Sequence, residues 1–293
     1  MAYKHGVYTS EVPTSVVPAV NTTAGLPVVF GTAPVHLASE RAQTNKPILC
    51  YSYAEAVQQL GYSKDWAKYT LCEVMYSQFA LYNRGPVVFV NVLDPKTHKK
   101  STSSKNVTVT NKVAKVDAPV LLDTLQIKAS TAGSALIAGS DYEAAYDDDG
   151  VLVITLLDDG TATAASNLTL TYDEIDAAAV DADDIIGGIN VSDGSVKGLE
   201  CLNKVFPITG LVPGIVLAPG WSENTTVAAV MKAKAGNINS HFKAITLNDV
   251  PTDSVKKYTD VKNWMNQNSY NDASQVVCWP MVKMGDDVYH MST

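Results

Sequence analysis

Asp249 ends the strand-like run "FKAITLND" and stands just before Pro251. A carboxylate at the carboxyl end of a parallel strand is where an α/β sheet places catalytic acids and metal ligands. It is also a residue type that caps turns, and the turn before Pro251 is the favoured reading, because no His or second acid lies nearby in sequence. His5, His36, His98, His241 and His290 are single and scattered, so they assemble no site by spacing. "APGWSENT" lacks the G-x-S-x-G elbow of a hydrolase, and neither G-x-G-x-x-G nor a P-loop occurs. Cys50, Cys72, Cys201 and Cys278 form no C-x-x-C pair and read as buried free thiols. "YDDDGVLVITLLDDG" invites a calcium reading. With Gly150 as the loop glycine, ligand positions one and twelve fall on Ala145 and Leu156, and the EF-hand pattern fails. A solvated hairpin turn is the expectation there. The residues show no enzyme, no cofactor and no metal site.

The elements that would carry these residues come in two textures. "PVVFG" reads as a short buried strand. "SYAEAVQQLG" has Ser52 and Glu55 at capping-box spacing and Gly61 as a stop. A longer helix is predicted over roughly residues 65–83, with Cys72, Met75, Phe79 and Tyr82 on one face. "GPVVFVNVLD" is a continuous apolar strand of the kind covered on both faces. From about Lys105 to Asp193 the texture turns to alternating strands: "NVTVT", "DTLQIKAS", "SDYEAAY", "GVLVITLL" and "NLTLTYDE", with Asp-Gly turns between them. After Gly198 the α/β texture returns. "PGIVLAPG", "FKAITLND" and "SQVVCWPMV" read as strands. Between them lie a helix over "SENTTVAAVMKAKAG", with Ser222 as N-cap and Gly236 as stop, and a helix over "DSVKKYTDVKNWMNQN". In the second helix Val255, Tyr258, Val261 and Met265 fall on one side. Strand–helix alternation makes a parallel sheet with right-handed crossovers the expected arrangement.

The fold class expected is therefore mixed α+β. A discontinuous α/β domain with a partly parallel sheet carries an inserted antiparallel, β-sandwich-like domain and an extended N-terminal arm. The division is 1–25 arm, 26–104 first α/β part, 105–197 insert and 198–293 second α/β part. The net charge of −8 argues against a nucleic-acid partner, which wants a basic face. Between Lys128 and Lys197 there is no Lys or Arg, so the insert is an acidic module. No run of about 18 apolar residues exists, and no direct membrane binding is expected. The opening residues lack the pattern of a signal peptide, and a cytoplasmic site of synthesis is the expectation.

The arm itself is unusual. "GVYTSEVPTSVVPAVNTT" is rich in Val, Thr and Pro and carries no charge between Glu11 and Thr23. A chain terminus is ordinarily polar. Val7, Tyr8, Val12, Val16, Val17 and Val20 would be out of place on a solvated tail, and Pro13 and Pro18 favour an extended chain that does not pair with itself.

Three stretches, taken in order, carry a family resemblance. "HGVYTSEVPTSVVPAVNTTAGLPVVFGTAP" resembles the opening of contractile-tail sheath proteins from phages and phage-derived particles. The run from "IIGGINVSDG" through "HFKAITLNDVP" is similar to the middle of that family, and "VVCWPMVKMGDDVYHMST" continues it. The resemblance implies a non-enzymatic structural subunit that stacks as a helical sleeve around a tail tube and contracts to drive the tube through a bacterial envelope. It implies that the arm, through Val7, Tyr8, Val12, Pro13, Val16, Val17, Pro18 and Val20, adds a strand to a neighbouring copy. Tail tube, baseplate and tail terminator proteins are the further partners it implies, with assembly in the host cytoplasm and residence in a virion tail or tail-like particle. Family members usually run past the point matched by "VYHMST", so the second α/β part is expected to be incomplete. Two other classes stay open on the residues alone: a decoration or adhesin protein, suggested by the β insert, and an α/β enzyme. A cleft holding Asp249 beside a His or second acid would favour the enzyme.

Overall fold

The computed structural model describes residues 25–293. The arm residues Val7, Tyr8, Val12, Pro13, Val16, Val17, Pro18 and Val20 lie outside the described residues.

In chain order, β1 (Pro27–Gly31) and β2 (Ile48–Cys50) are followed by α1 (Tyr53–Leu60), α2 (Thr70–Val74) and β3 (Val87–Asn91). Six strands follow: β4 (Lys99–Thr108), β5 (Val113–Val116), β6 (Gln126–Lys128), β7 (Tyr142–Tyr146), β8 (Leu152–Leu156) and β9 (Asn167–Ile175). After α3 (Ala182–Ile186) and the short pair β10 (Gly188–Ile189) and β11 (Val196–Lys197), the chain forms α4 (Leu202–Thr209). It then alternates through β12 (Ile215–Leu217), α5 (Thr225–Ala235), β13 (Ile245–Asp249), α6 (Tyr258–Gln267) and β14 (Gln275–Cys278). A final hairpin joins β15 (Val282–Met284) to β16 (Asp287–Tyr289).

The main sheet has the order β14-β13-β12-β1-β3-β2. All of its pairings are parallel except β2 against β3. Val28, Val29 and Phe30 of β1 and the whole of β3 are buried, as unbroken apolar runs require of central strands covered on both faces. The insert folds as two three-stranded antiparallel sheets, β4-β9-β6 and β5-β8-β7. Their inward residues, among them Ile127, Leu152, Ile154, Leu168 and Leu170, form a hydrophobic cluster separate from that of the main sheet. The fold is thus mixed α+β, with a partly parallel sheet and small antiparallel ones.

Several local expectations change. The helix over residues 65–83 begins only at Thr70, and from Met75 to Leu81 it is π-helical. Residues 65–69 make one isolated turn, with Tyr69 N–H donating to the Asp65 carbonyl, 2.9 Å. The helix then starts where the end of β1 caps it: Thr70 N–H donates to Thr32 Oγ1 (3.2 Å) and Leu71 N–H to the Thr32 carbonyl (3.0 Å). Tyr82, expected on the apolar face, is exposed. Asn224, not Ser222, caps α5, because its side chain accepts from the Thr226 and Val227 N–H groups. Helix α6 starts at Tyr258, which is exposed, while Val255 is buried in the turn before it, so the expected one-sided face does not form. "DTLQIKAS" is half a 3-10 turn, and "VAKV" is a strand that alternation alone did not single out. Residues 177–197 return to the main body, where Val180 and Ile185 join its cluster.

Candidate functional site

The carboxyl end of the main sheet is built on a close approach. At Gly31, the last residue of β1, an added Cβ would lie 2.2 Å from Thr70 Oγ1, so α2 can cross the strand here only over a glycine. The reciprocal Thr32–Thr70 bonds fix α2 at that point. They set Glu73 on its first turn, facing inward with almost no exposure.

Asp249, at the end of β13, is also buried, and it does not cap the turn before Pro251. Before the proline, Val250 N–H donates to the Cys278 carbonyl, and the turn that begins at Pro251 closes on its own backbone, with Ser254 and Val255 N–H groups donating to the Pro251 carbonyl. The Asp249 carboxylate instead accepts from Ser292 N–H, 3.1 Å, and from the Ser292 hydroxyl. Its own N–H donates to Ser222 Oγ, 3.0 Å, and the Tyr270 hydroxyl donates to the Ser222 carbonyl, 2.8 Å. Ser222 is thus a buried link between β13 and the segment before α5.

The last four residues bridge the two acids. His290 donates its backbone N–H to Glu73 Oε1, and its Nδ1 lies 2.8 Å from Glu73 Oε2. Thr293 Oγ1 donates to Glu73 Oε1, 3.2 Å, and Gln78 Nε2 donates to the Thr293 carbonyl, 3.1 Å. Burial raises the Asp249 carboxyl above the usual carboxylate range, and the Ser292 hydrogen bonds only partly oppose it. Glu223 is raised in the same direction, first by burial. Burial alone would lower His290, but the hydrogen bond and charge of Glu73 more than offset it and leave the imidazole above its ordinary value. The Cys278 thiol, pushed up to about 11 by burial and by Asp249, stays protonated and inert.

The fold therefore places a His and two further acids beside Asp249, which sequence spacing could not show. A cavity of about 680 Å³ opens next to the network, lined by Leu26, Pro27, Ile215, Leu217, Leu247 and Ser292 among others; Asp249, Glu73 and His290 are not among its walls. Fixed donors within the chain hold the carboxylate oxygens of Glu73 and Asp249, so the arrangement fastens segments together. Among the described residues no group of three or more His, Cys, Asp or Glu side chains could hold a metal ion. Asp147 is engaged in its own turn, accepting from the Asp149 and Val151 N–H groups, which is the behaviour of a hairpin turn. Among the described residues no helix is long and apolar enough to cross a membrane.

The other feature of this sheet is its edge. Among the described residues no strand pairs with the outer side of β14. Its sequence "QVVC" carries no charge, and Val276 is exposed. An uncharged, partly apolar edge is a template for strand addition.

No protein-family model matches the chain. Among curated proteins, the tail sheath protein of Burkholderia phage BcepMu is 28% identical over 294 residues, covering 97% of this chain and 57% of the phage protein. The chain resembles a phage tail sheath protein over nearly its whole length. It spans little more than half the length of that relative. Among solved structures, the sheath tail protein from Listeria innocua overlaps 92% of this chain and 53% of its own, with 10% identity and a TM-score of 0.41. A likeness at that score carries no argument.

Proposed function

We propose that this chain is a sheath subunit of a contractile phage tail or tail-like particle, or the larger part of one. The similarity to the phage tail sheath protein, which runs along 97% of the chain, carries the reading. In it, copies of the chain polymerise as a helical sleeve around a tail tube, and rearrangement of the sleeve drives the tube through a bacterial envelope. Tube, baseplate and tail terminator proteins are its neighbours, and assembly precedes residence in the virion tail.

Within the sleeve, the arm of one copy adds to a sheet of the next. Val7, Tyr8, Val12, Pro13, Val16, Val17, Pro18 and Val20 supply its apolar side chains. The uncharged outer edge of β14 is a fitting acceptor, because a strand added there satisfies its backbone groups and covers Val276. Such a contact is head-to-tail and does not close on itself, so it builds a filament. The insert forms a separate module carried on the body. Negative-stain imaging of the concentrated protein tests the reading: tubular polymers support it, and discrete particles at every concentration refute it.

A further inference from the structure

The segment that closes the carboxyl end of the sheet rests on an uneven set of charges. Two buried carboxylates accept from this segment, Glu73 of α2 and Asp249 of β13, and the partly buried Glu223 before α5 lies within reach of the His290 charge. Among the described residues, none of the three has a Lys or Arg within ion-pair distance; Glu73 has only His290. Tyr289, one residue before, packs on Trp66 at 4.9 Å between ring centroids, with the Tyr76 and Tyr82 side chains nearby. Asp287, at the start of β16, adds another negative charge to the segment itself. Among the described residues His290, when protonated, is therefore the one cation paired with a carboxylate at this end of the sheet. Beyond it, residues 290–293 contribute neutral donors, from His290, Ser292 and Thr293, to the two buried acids.

We propose that residues 287–293 are a proton-locked strap, held across the carboxyl end of the sheet while His290 is protonated and released from it as that proton is lost. Losing the proton leaves Glu73 and Asp249 buried under this segment with no cation among the described residues to offset them, and uncompensated buried charge is costly. Release restores water to Glu73 and Asp249 and removes the cost. His290 carries the effect, because its proton is held by the Glu73 hydrogen bond and charge while the strap is closed; Asp249 and Glu223 are raised by burial, and the strap's own Ser292 and His290 lower them. The device does not depend on the sheath reading, since every group in it belongs to one chain.

Hydrogen exchange of the full chain between pH 6 and pH 9, corrected for the intrinsic pH dependence of exchange, tests the proposal. Protection of a peptide covering residues 285–293 falls as pH rises above the ordinary His value, by up to about tenfold per pH unit for each proton the closed strap retains. Protection of β1 and β3 stays constant over the same range, which separates strap release from global unfolding. His290→Gln, which keeps a donor but no titrating charge, removes the fall above pH 6.5. Constant strap protection in the parent, or an unaltered profile in His290→Gln, overturns the proposal. Should that variant fail to fold, the His290 ring resonances of the parent decide: a titration midpoint above 6.5 supports the lock, and one at or below 6.5 overturns it.

Discussion

The contact between Gly31 and Thr70 carries the whole carboxyl end of the sheet, and Gly31→Ala tests it directly. The new methyl group would stand 2.2 Å from Thr70 Oγ1 and 3.2 Å from the Leu71 side chain. Thr70 cannot simply rotate away, because its hydroxyl accepts from Thr32 N–H (3.3 Å) and its own N–H donates to Thr32 Oγ1 (3.2 Å). Overpacking of a filled core costs about 1–3 kcal/mol. Breaking the reciprocal pair adds about 1 kcal/mol per bond. The sum is about 3–5 kcal/mol, which for a chain of this size lowers Tm by roughly 6–20 °C. Thr70→Ala alone removes the hydroxyl bond and costs about 1–2 kcal/mol. In the double variant the offending oxygen is gone, so the combined cost is smaller than the sum of the two single costs. Urea unfolding of the four proteins measures the cycle. A Gly31→Ala cost within about 0.5 kcal/mol, or strict additivity with Thr70→Ala, refutes the close approach and with it the placement of Glu73.

His36 gives a pH prediction of opposite slope to that of His290. It is buried with Nδ1 unpartnered among the described residues, and burial, reinforced by Arg41, lowers its value to about 4. A depressed His means that the unfolded chain binds the extra proton, so stability falls as pH drops from about 6.5 towards 4, by about 3 kcal/mol in all; His36→Phe should flatten that part of the curve in a pH series of urea melts. Ser222→Ala leaves the Asp249 N–H without its buried partner and costs about 1–3 kcal/mol. Asn224→Ala costs only about 1 kcal/mol, the loss of an N-cap, and equal losses in thermal melts would argue against the two roles. Replacing residues 99–175 by a short linker leaves a remainder that still unfolds cooperatively in calorimetry, because the insert has its own hydrophobic cluster and only Leu121 and Ile175 of that span join the buried residues of the main one; loss of any cooperative transition would show a shared core.

The parts of the fold legible in the sequence were those set by local pattern. "PVVFG" and "VVFVN" are strands because unbroken apolar runs between stop signals fit only a doubly covered sheet. Ser52 and Gly61 bound α1 as their side-chain chemistry and backbone freedom require, with Ser52 Oγ accepting from Glu55 N–H and Gly61 at φ 73°. The misread elements are those decided by tertiary partners. Thr32 starts α2 five residues late, and Asn224 takes a cap for which Ser222 was equally suited by type. Ser222 is instead claimed by Asp249, from another strand. The carboxyl-end network was invisible to spacing because Glu73, Asp249 and His290 lie far apart in the chain. One signal was present: Glu73 is the single charge between Thr70 and Tyr82, and a lone acid in an apolar helical run needs a partner.

Assembly of copies of this chain through their N-terminal arms is the proposal on which the sheath reading turns. Deleting residues 1–20 and measuring both monomer Tm and polymer formation by negative-stain imaging tests it most directly. A monomer Tm close to that of the parent is expected, with no tubular polymers at concentrations where the parent forms them, if the arm's partner edge belongs to another chain. A large loss of monomer stability with tubes still forming would contradict it, and would mean that Val12, Val16, Val17 and Val20 pack on their own subunit.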